Sequence, residues 1–240
     1  GLFGIGGGVI MVPILIVFFA FAPVDATATS LASLLLPVGI LGVMQYYRKG
    51  MVNVRAAAYV ALGLITTTVI GAFFALNLPS NTFQQIYGVF LLYNAWRFIE
   101  PLIWLGMAEP KPKPQGTDSV SAWILFGVGL FAGVLAGMFG IGGGVVIVPL
   151  LSGVLGLNHK KAVATSLAAQ LLPFGLPGVI LYYNSGVLNL WNAVPLAAGL
   201  VFGALVGART ALKLNDKLIK RLYGIFLLVV GGWFIIEPLL

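Results

Sequence analysis

Polar positions are so sparse along this chain that its hydrophobic pattern reads as blocks rather than as faces. Long apolar runs cover residues 26–47, 54–76, 83–104, 162–183, 190–212 and 218–240, and each exceeds the ~20 residues a helix needs to cross a bilayer. Shorter runs at 9–21 and 145–157 each follow a cluster of glycines, and a further run at 122–139 precedes the second cluster. Glycine and proline fall inside these runs, a placement membrane helices tolerate because neighbouring groups re-satisfy the freed backbone. The pattern predicts an all-α polytopic membrane protein.

The blocks repeat. The segment Gly1-Leu-Phe-Gly-Ile-Gly-Gly-Gly-Val-Ile-Met-Val-Pro13 returns as Gly137-Met-Phe-Gly-Ile-Gly-Gly-Gly-Val-Val-Ile-Val-Pro149, an offset of 136. The same offset, without a gap, lays Ala28-Thr29-Ser30-Leu31 on Ala164-Thr165-Ser166-Leu167, Pro37 on Pro173, Tyr46-Tyr47 on Tyr182-Tyr183 and Asn53 on Asn189. The chain is therefore a duplicated unit. The expected division is a first repeat at 1–106, a polar proline-rich linker at 107–121 and a second repeat at 122–240. The run at 122–139 has no counterpart ahead of the first glycines, so the first repeat is expected to lack its leading helix here.

Charge changes the picture by fixing orientation. Only 8% of residues are charged, and Lys+Arg outnumber Asp+Glu by 13 to 6. In a soluble protein that excess would point to nucleic acid; among membrane spans it is a topology signal. Arg48, Lys49 and Arg55 bracket one connection of the first repeat, whereas the matching connection of the second, 184–189, has no basic residue. The second repeat instead carries Lys160, Lys161, Arg209, Lys213, Lys217, Lys220 and Arg221 one connection out of phase. Inverted repeats with a cytoplasmic linker put all thirteen basic residues at or near one side, as the positive-inside rule requires. Arg97 and Arg209 then lie near span ends, where long side chains snorkel to water.

Candidate chemistry is narrow. There is no cysteine and a single histidine, His159, which removes thiolate and His-rich metal sites. No nucleophile–base pair or phosphate loop is visible, so neither an enzyme nor a cofactor is expected. Gly-Ile-Gly-Gly-Gly would expose backbone polar groups if it faced lipid, so it belongs inside protein or along a watered cavity. The following run of ~13 residues is short for a span. It reads as a broken helix starting near mid-membrane, its free N–H groups and positive dipole end turned toward an anion. The substrate-binding candidates are Gly6, Gly7 and Gly8 with Gly142, Gly143 and Gly144. To these are added the hydroxyls Thr29, Ser30, Thr165 and Ser166, two turns before a helix-breaking proline, and the amide of Gln170.

The doubled Gly-Ile-Gly-Gly-Gly with its Val-Pro at 4–13 and 140–149, and the Ala-x-Ala-Thr-Ser-Leu stretches at 26–31 and 162–167, resemble the TauE/SafE sulfite-exporter family of membrane transporters. The resemblance covers nearly the whole chain. It implies a secondary transporter of small anions, sulfite or organosulfonates and related organic acids, in a prokaryotic inner membrane. Leu34 stands where the second repeat has Gln170, so the two half-sites are expected to differ. The expected partners are a small anionic solute and the lipid bilayer, and a homodimer or a larger membrane complex is compatible with the abundance of small and aromatic residues. The competing reading is a non-transporting membrane scaffold subunit.

Overall fold

The computed structural model describes residues 7–37, 39–99, 120–211 and 216–239, and these fold into eleven helices. The first copy supplies α1 (Gly8–Phe19), α2 (Pro23–Ser33), α3 (Ile40–Arg48), α4 (Val54–Asn77) and α5 (Ser80–Ile99). Helix α6 (Ala122–Phe139) follows, and the second copy supplies α7 (Gly144–Pro149), α8 (His159–Ala169), α9 (Leu176–Asn184), α10 (Leu190–Ala211) and α11 (Asp216–Ile236). The all-helical expectation holds. Gly6 and the linker as far as residue 119 lie outside the described residues, as does the side chain of Arg209.

The duplication reaches the backbone itself. Each second-copy helix α7 to α11 begins 136 residues after its counterpart α1 to α5. Positive φ recurs at the same offset: 82° at Gly7 and 71° at Gly143, 54° at Ala20 and 69° at Gly156, 63° at Gly50 and 76° at Gly186. The bond from Phe21 N–H to Leu15 O (3.1 Å) returns as Leu157 N–H to Leu151 O (2.9 Å). One difference is local: after Pro149 the second copy widens into a π-helical turn, Leu150–Val154, whereas α1 carries Pro13 without that change.

The runs at 26–47 and 162–183 are not continuous helices. The first splits into α2 and α3 and the second into α8 and α9, with Pro37 and Pro173 in the gaps, because proline lacks an N–H and clashes with the preceding turn. By contrast Val54–Asn77 and Ala122–Phe139 are unbroken, apolar and long enough to cross a bilayer. Large side chains such as Phe18, Trp123 and Phe202 stand exposed, a surface that suits hydrocarbon better than water.

The chain forms two compact units, and neither coincides with a sequence repeat: one joins Gly1–Asn77 with Pro114–Ala208, the other Leu78–Lys113 with Arg209–Leu240. In the first, α4 lies against α6 with almost nothing between the backbones. A Cβ at Gly63 would fall 2.6 Å from Leu130 N, and one at Gly71 2.7 Å from Met138 N. Across this seam Thr67 Oγ1 donates to Leu130 O at 2.7 Å. Lipid offers no hydrophobic drive for helices to associate, so close approach and interhelical hydrogen bonds carry the packing. In the second unit α5 and α11 use the same device: a Cβ at Gly88 would sit 2.9 Å from Gly231 O, and the Tyr87 and Phe234 rings meet at 5.9 Å.

Within the first unit the copies also interlock reciprocally. Leu31 of α2 packs against Gly175 and Gly178 at the start of α9, where a methyl group at Gly178 would lie 3.1 Å away. The repeat-related Leu167 of α8 packs against Gly39 and Gly42 at the start of α3, more loosely at 3.5 and 3.8 Å.

Gly63 and Gly199 are repeat-related, but a Cβ on Gly199 of α10 meets nothing within 4 Å among the described residues. Gly63→Leu is therefore expected to destabilise by about 3 kcal/mol or more through overpacking, and Gly199→Leu to be near neutral. Thermal unfolding midpoints in detergent check this; equal shifts for the two variants would contradict the packing described.

Candidate functional site

The glycine clusters form tight turns at the starts of α1 and α7. Gly7 O accepts from Ile10 N–H (3.1 Å) and Met11 N–H (3.3 Å), while Gly143 O accepts from Val146 and Ile147 N–H (both 2.9 Å). Left-handed φ of 78° at Gly142 and 71° at Gly143 requires glycine, since a Cβ there would meet its own backbone. Residues 140–148 are buried throughout. The two clusters meet: a Cβ at Gly8 would fall 2.6 Å from Gly140 O and 2.8 Å from Ile141 C. Only glycine lets the first copy's turn rest on the second copy's backbone.

Helix α2 closes over this junction. Ser30 Oγ donates to Gly140 O at 2.7 Å, and a Cβ at Gly140 would lie 2.6 Å from Thr27 O. Tyr182 of α9 adds a bond from its hydroxyl to Gly137 O at 2.7 Å. Thr27 itself is fully buried, and its Oγ1 has no hydrogen-bond partner among the described residues. A buried hydroxyl without a partner is costly and marks a position that a ligand atom can satisfy. Sequence reasoning passed over Thr27, because its repeat counterpart is Val163 and a search for paired polar positions discards it.

The other candidates divide. Gly7, Gly8, Gly142, Gly143, Gly144 and Ser30 gather at the junction or in the turns that form it. Gln170 does not reach out: its Nε2 donates to Ser166 O and Ser166 Oγ, both at 3.1 Å, within its own turn. Thr165 Oγ1 accepts from Asn53 N–H at 3.4 Å. Thr29 is buried but borders a cavity.

Two cavities are each built from both copies. The larger, about 460 Å³, lies between Phe21, Asp25 and Thr29 of the first copy and the α9–α10 connection with Asn189, Trp191 and Asn192 of the second. The smaller, about 30 Å³, lies between Asn53, Arg55 and Ala56 of the first copy and Leu157 and Lys161 of the second. The asparagines also cap helices: Asn53 Oδ1 accepts from Ala56 N–H and Asn189 Oδ1 from Trp191 N–H, both at 3.0 Å. Arg55 lies over the Tyr59 ring, 6.0 Å from its centre. Asp25, Asn53, Arg55, Lys161, Asn189 and Asn192 were not expected as site residues. The available signal was the offset of 136, which pairs Asp25 with Lys161 and Asn189 with Asn53.

The chain is similar in sequence to known membrane transporter proteins. A family profile described as "Sulfite exporter TauE/SafE" matches residues 1–234. A "Probable membrane transporter protein" of Methanocaldococcus jannaschii is 28% identical, covering 96% of this chain and 88% of its own. The "Probable membrane transporter protein YunE" of Bacillus subtilis is 27% identical over 98% of this chain and 92% of its own, and a "Probable membrane transporter protein" of Haemophilus influenzae is 25% identical over 96% and 90%. No solved structure matches the chain.

The junction generates a stability ordering. Ser30→Ala removes one buried hydrogen bond, about 1–2 kcal/mol with the carbonyl left unpaired. Gly140→Ala combines a left-handed φ of 65° with a clash on Thr27 O, so its unfolding midpoint in detergent is expected to fall further. The reverse order would contradict the geometry described.

Proposed function

The chain belongs to the TauE/SafE sulfite exporter family and is an integral membrane transporter, and from that premise we propose that it carries a small anion, sulfite or an organosulfonate, by alternating access. The observation that carries this reading is the junction itself: two glycine turns in backbone contact, with the Thr27 hydroxyl, unbonded among the described residues, beside them. Oxygens of a small oxyanion accept hydrogen bonds, and glycine turns present N–H donors without side chains in the way. Helix α1, twelve residues long, adds the positive end of its dipole, while α7, of only six, adds little. Neutral donors of this kind hold an anion firmly enough to admit it and loosely enough to release it.

In this reading the two copies are inverted across the membrane plane. The cavity bordered by Arg55 and Lys161 then faces the cytoplasm with the other basic residues, and the cavity bordered by Asp25 and Asn189 faces the opposite side. The anion passes between them through the glycine junction as the copies rock about the α2–α9 and α3–α8 contacts. Ser30 holds the carbonyl of Gly140 and Tyr182 that of Gly137 in the last turn of α6, while Thr29 borders the larger cavity.

Flux of sulfur-35-labelled sulfite, and in parallel sulfoacetate, into proteoliposomes tests the reading, with and without a pH gradient. Saturable, protein-dependent uptake of at least one anion is expected, and its response to the gradient identifies proton coupling. Absence of flux for both anions, from protein that unfolds cooperatively in detergent, would overturn it.

A further inference from the structure

We infer that the Asp25 carboxylate is a proton-binding site coupled to anion binding: it is ionised when no anion is bound and takes up a proton when an anion enters the larger cavity. The inference rests on the reading of the protein as an anion carrier and adds to it a titrating group, which makes the affinity of that face depend on pH.

Asp25 lies in the first turn of α2, immediately before the apolar run at 26–47. It borders the larger cavity with Thr29, one turn further along α2, and with Asn189 and Asn192 at the start of α10. A sphere of the cavity's volume, about 460 Å³, is about 10 Å across, no wider than the distance over which 0.1 M salt screens a charge. An anion inside it therefore feels the carboxylate. The rest of the polar lining is neutral: Thr29, Asn189, Asn192 and Tyr183 offer hydrogen bonds but no positive charge. The helices packed on α2 supply none either. Neither α1 nor α6 carries a titratable side chain, and α9 brings only Tyr182 and Tyr183, the first of them bonded to Gly137 O. Helix α10 has Arg209 alone, close to its other end. Among the described residues no cation faces Asp25 and no hydrogen bond holds its carboxylate. Part burial shifts its pKa upward from that of a carboxylate in water.

Two negative charges confined together between apolar walls repel far more strongly than in water. Paired carboxylates relieve the same conflict by binding a proton, which removes one of the charges. Here the proton comes from solvent, binds one carboxylate oxygen and turns Asp25 from a group that repels the anion into a hydroxyl that donates to it. When the anion leaves, the proton returns to solvent. The linkage is reciprocal: the anion raises the proton affinity of Asp25, and the proton raises the affinity for the anion by the same factor. Asp25 then has two pKa values, the higher with the anion bound. Anion affinity is highest and level below both, falls up to tenfold per pH unit as pH rises between them, and is lowest above both. The repeat-related position is Lys161, so the device belongs to the first copy alone. A first-turn acid also suits a helix start, but that role gives anion binding no pH dependence.

The test measures Kd for sulfite and for sulfoacetate by titration calorimetry, on the full chain in detergent, between about pH 5 and pH 8. Dividing the wild-type Kd by that of Asp25→Asn cancels the anion's own titration. The ratio is expected to rise roughly tenfold or more across the range, because the variant keeps a neutral side chain throughout. Asp25→Glu should retain the wild-type profile, and Asp25→Ser, also neutral, serves if the Asn variant does not fold. On addition of the anion to weakly buffered protein, wild type should take up more protons than Asp25→Asn. A ratio that stays level with pH, or equal proton uptake by the two proteins, would overturn the inference and leave the anion carrier standing. Binding of neither anion, by protein that unfolds cooperatively, would overturn the carrier reading and the inference with it.

Discussion

Backbone polar groups buried at membrane depth must find partners inside the protein, and the glycine turns are where this constraint presses hardest. At Gly8 and Gly140 the two copies touch backbone to backbone, with no room for a methyl group on either of those residues. That contact dictates much of what surrounds it. Ser30 and Tyr182 are drawn in to satisfy carbonyls of the second turn, and α6 is brought onto α4 along a row of glycines. The breaks at Pro37 and Pro173 divide the neighbouring runs into short helices that can wrap the junction.

Duplication explains the frame, and departures from duplication explain the chemistry. Helix starts, left-handed residues and capping bonds recur with one offset. The positions that break the pattern are the ones able to distinguish two faces: Asp25 against Lys161, Trp191 against Arg55, Thr27 against Val163, Leu34 against Gln170. Packing differs in the same sense, with Leu31 seated tightly on its glycines and Leu167 loosely on the equivalent pair. A transporter needs two nearly equivalent conformations and a bias between them, and an imperfect repeat supplies both.

The helical segments were legible because apolar length and interrupting prolines act locally. Residues 122–139 and 190–211 came out as helices within a residue of the expected bounds. Helices start at Gly8 and Gly144, each at the end of a Gly-Ile-Gly-Gly-Gly run visible in the sequence. The cavities were not legible, because each is made of residues more than a hundred positions apart, and nothing near Asp25 announces Asn189. The Gln170 amide, four residues after Ser166, bonds that residue's carbonyl and hydroxyl, an interaction its place one turn later makes available. Arg55 and Lys161 were read for orientation alone, although the same charges also line a cleft.

In the proposed transporter the two copies face opposite sides of the membrane. Lys49 and Ser185 are repeat-related and exposed, each beside a left-handed glycine at the end of its helix. Single cysteines at these positions, labelled with a membrane-impermeant maleimide in intact cells and in inside-out vesicles, test it directly. Lys49→Cys should be labelled from the cytoplasmic side only and Ser185→Cys from the other side only. Labelling of both from one side would contradict the inverted arrangement and the pathway built on it.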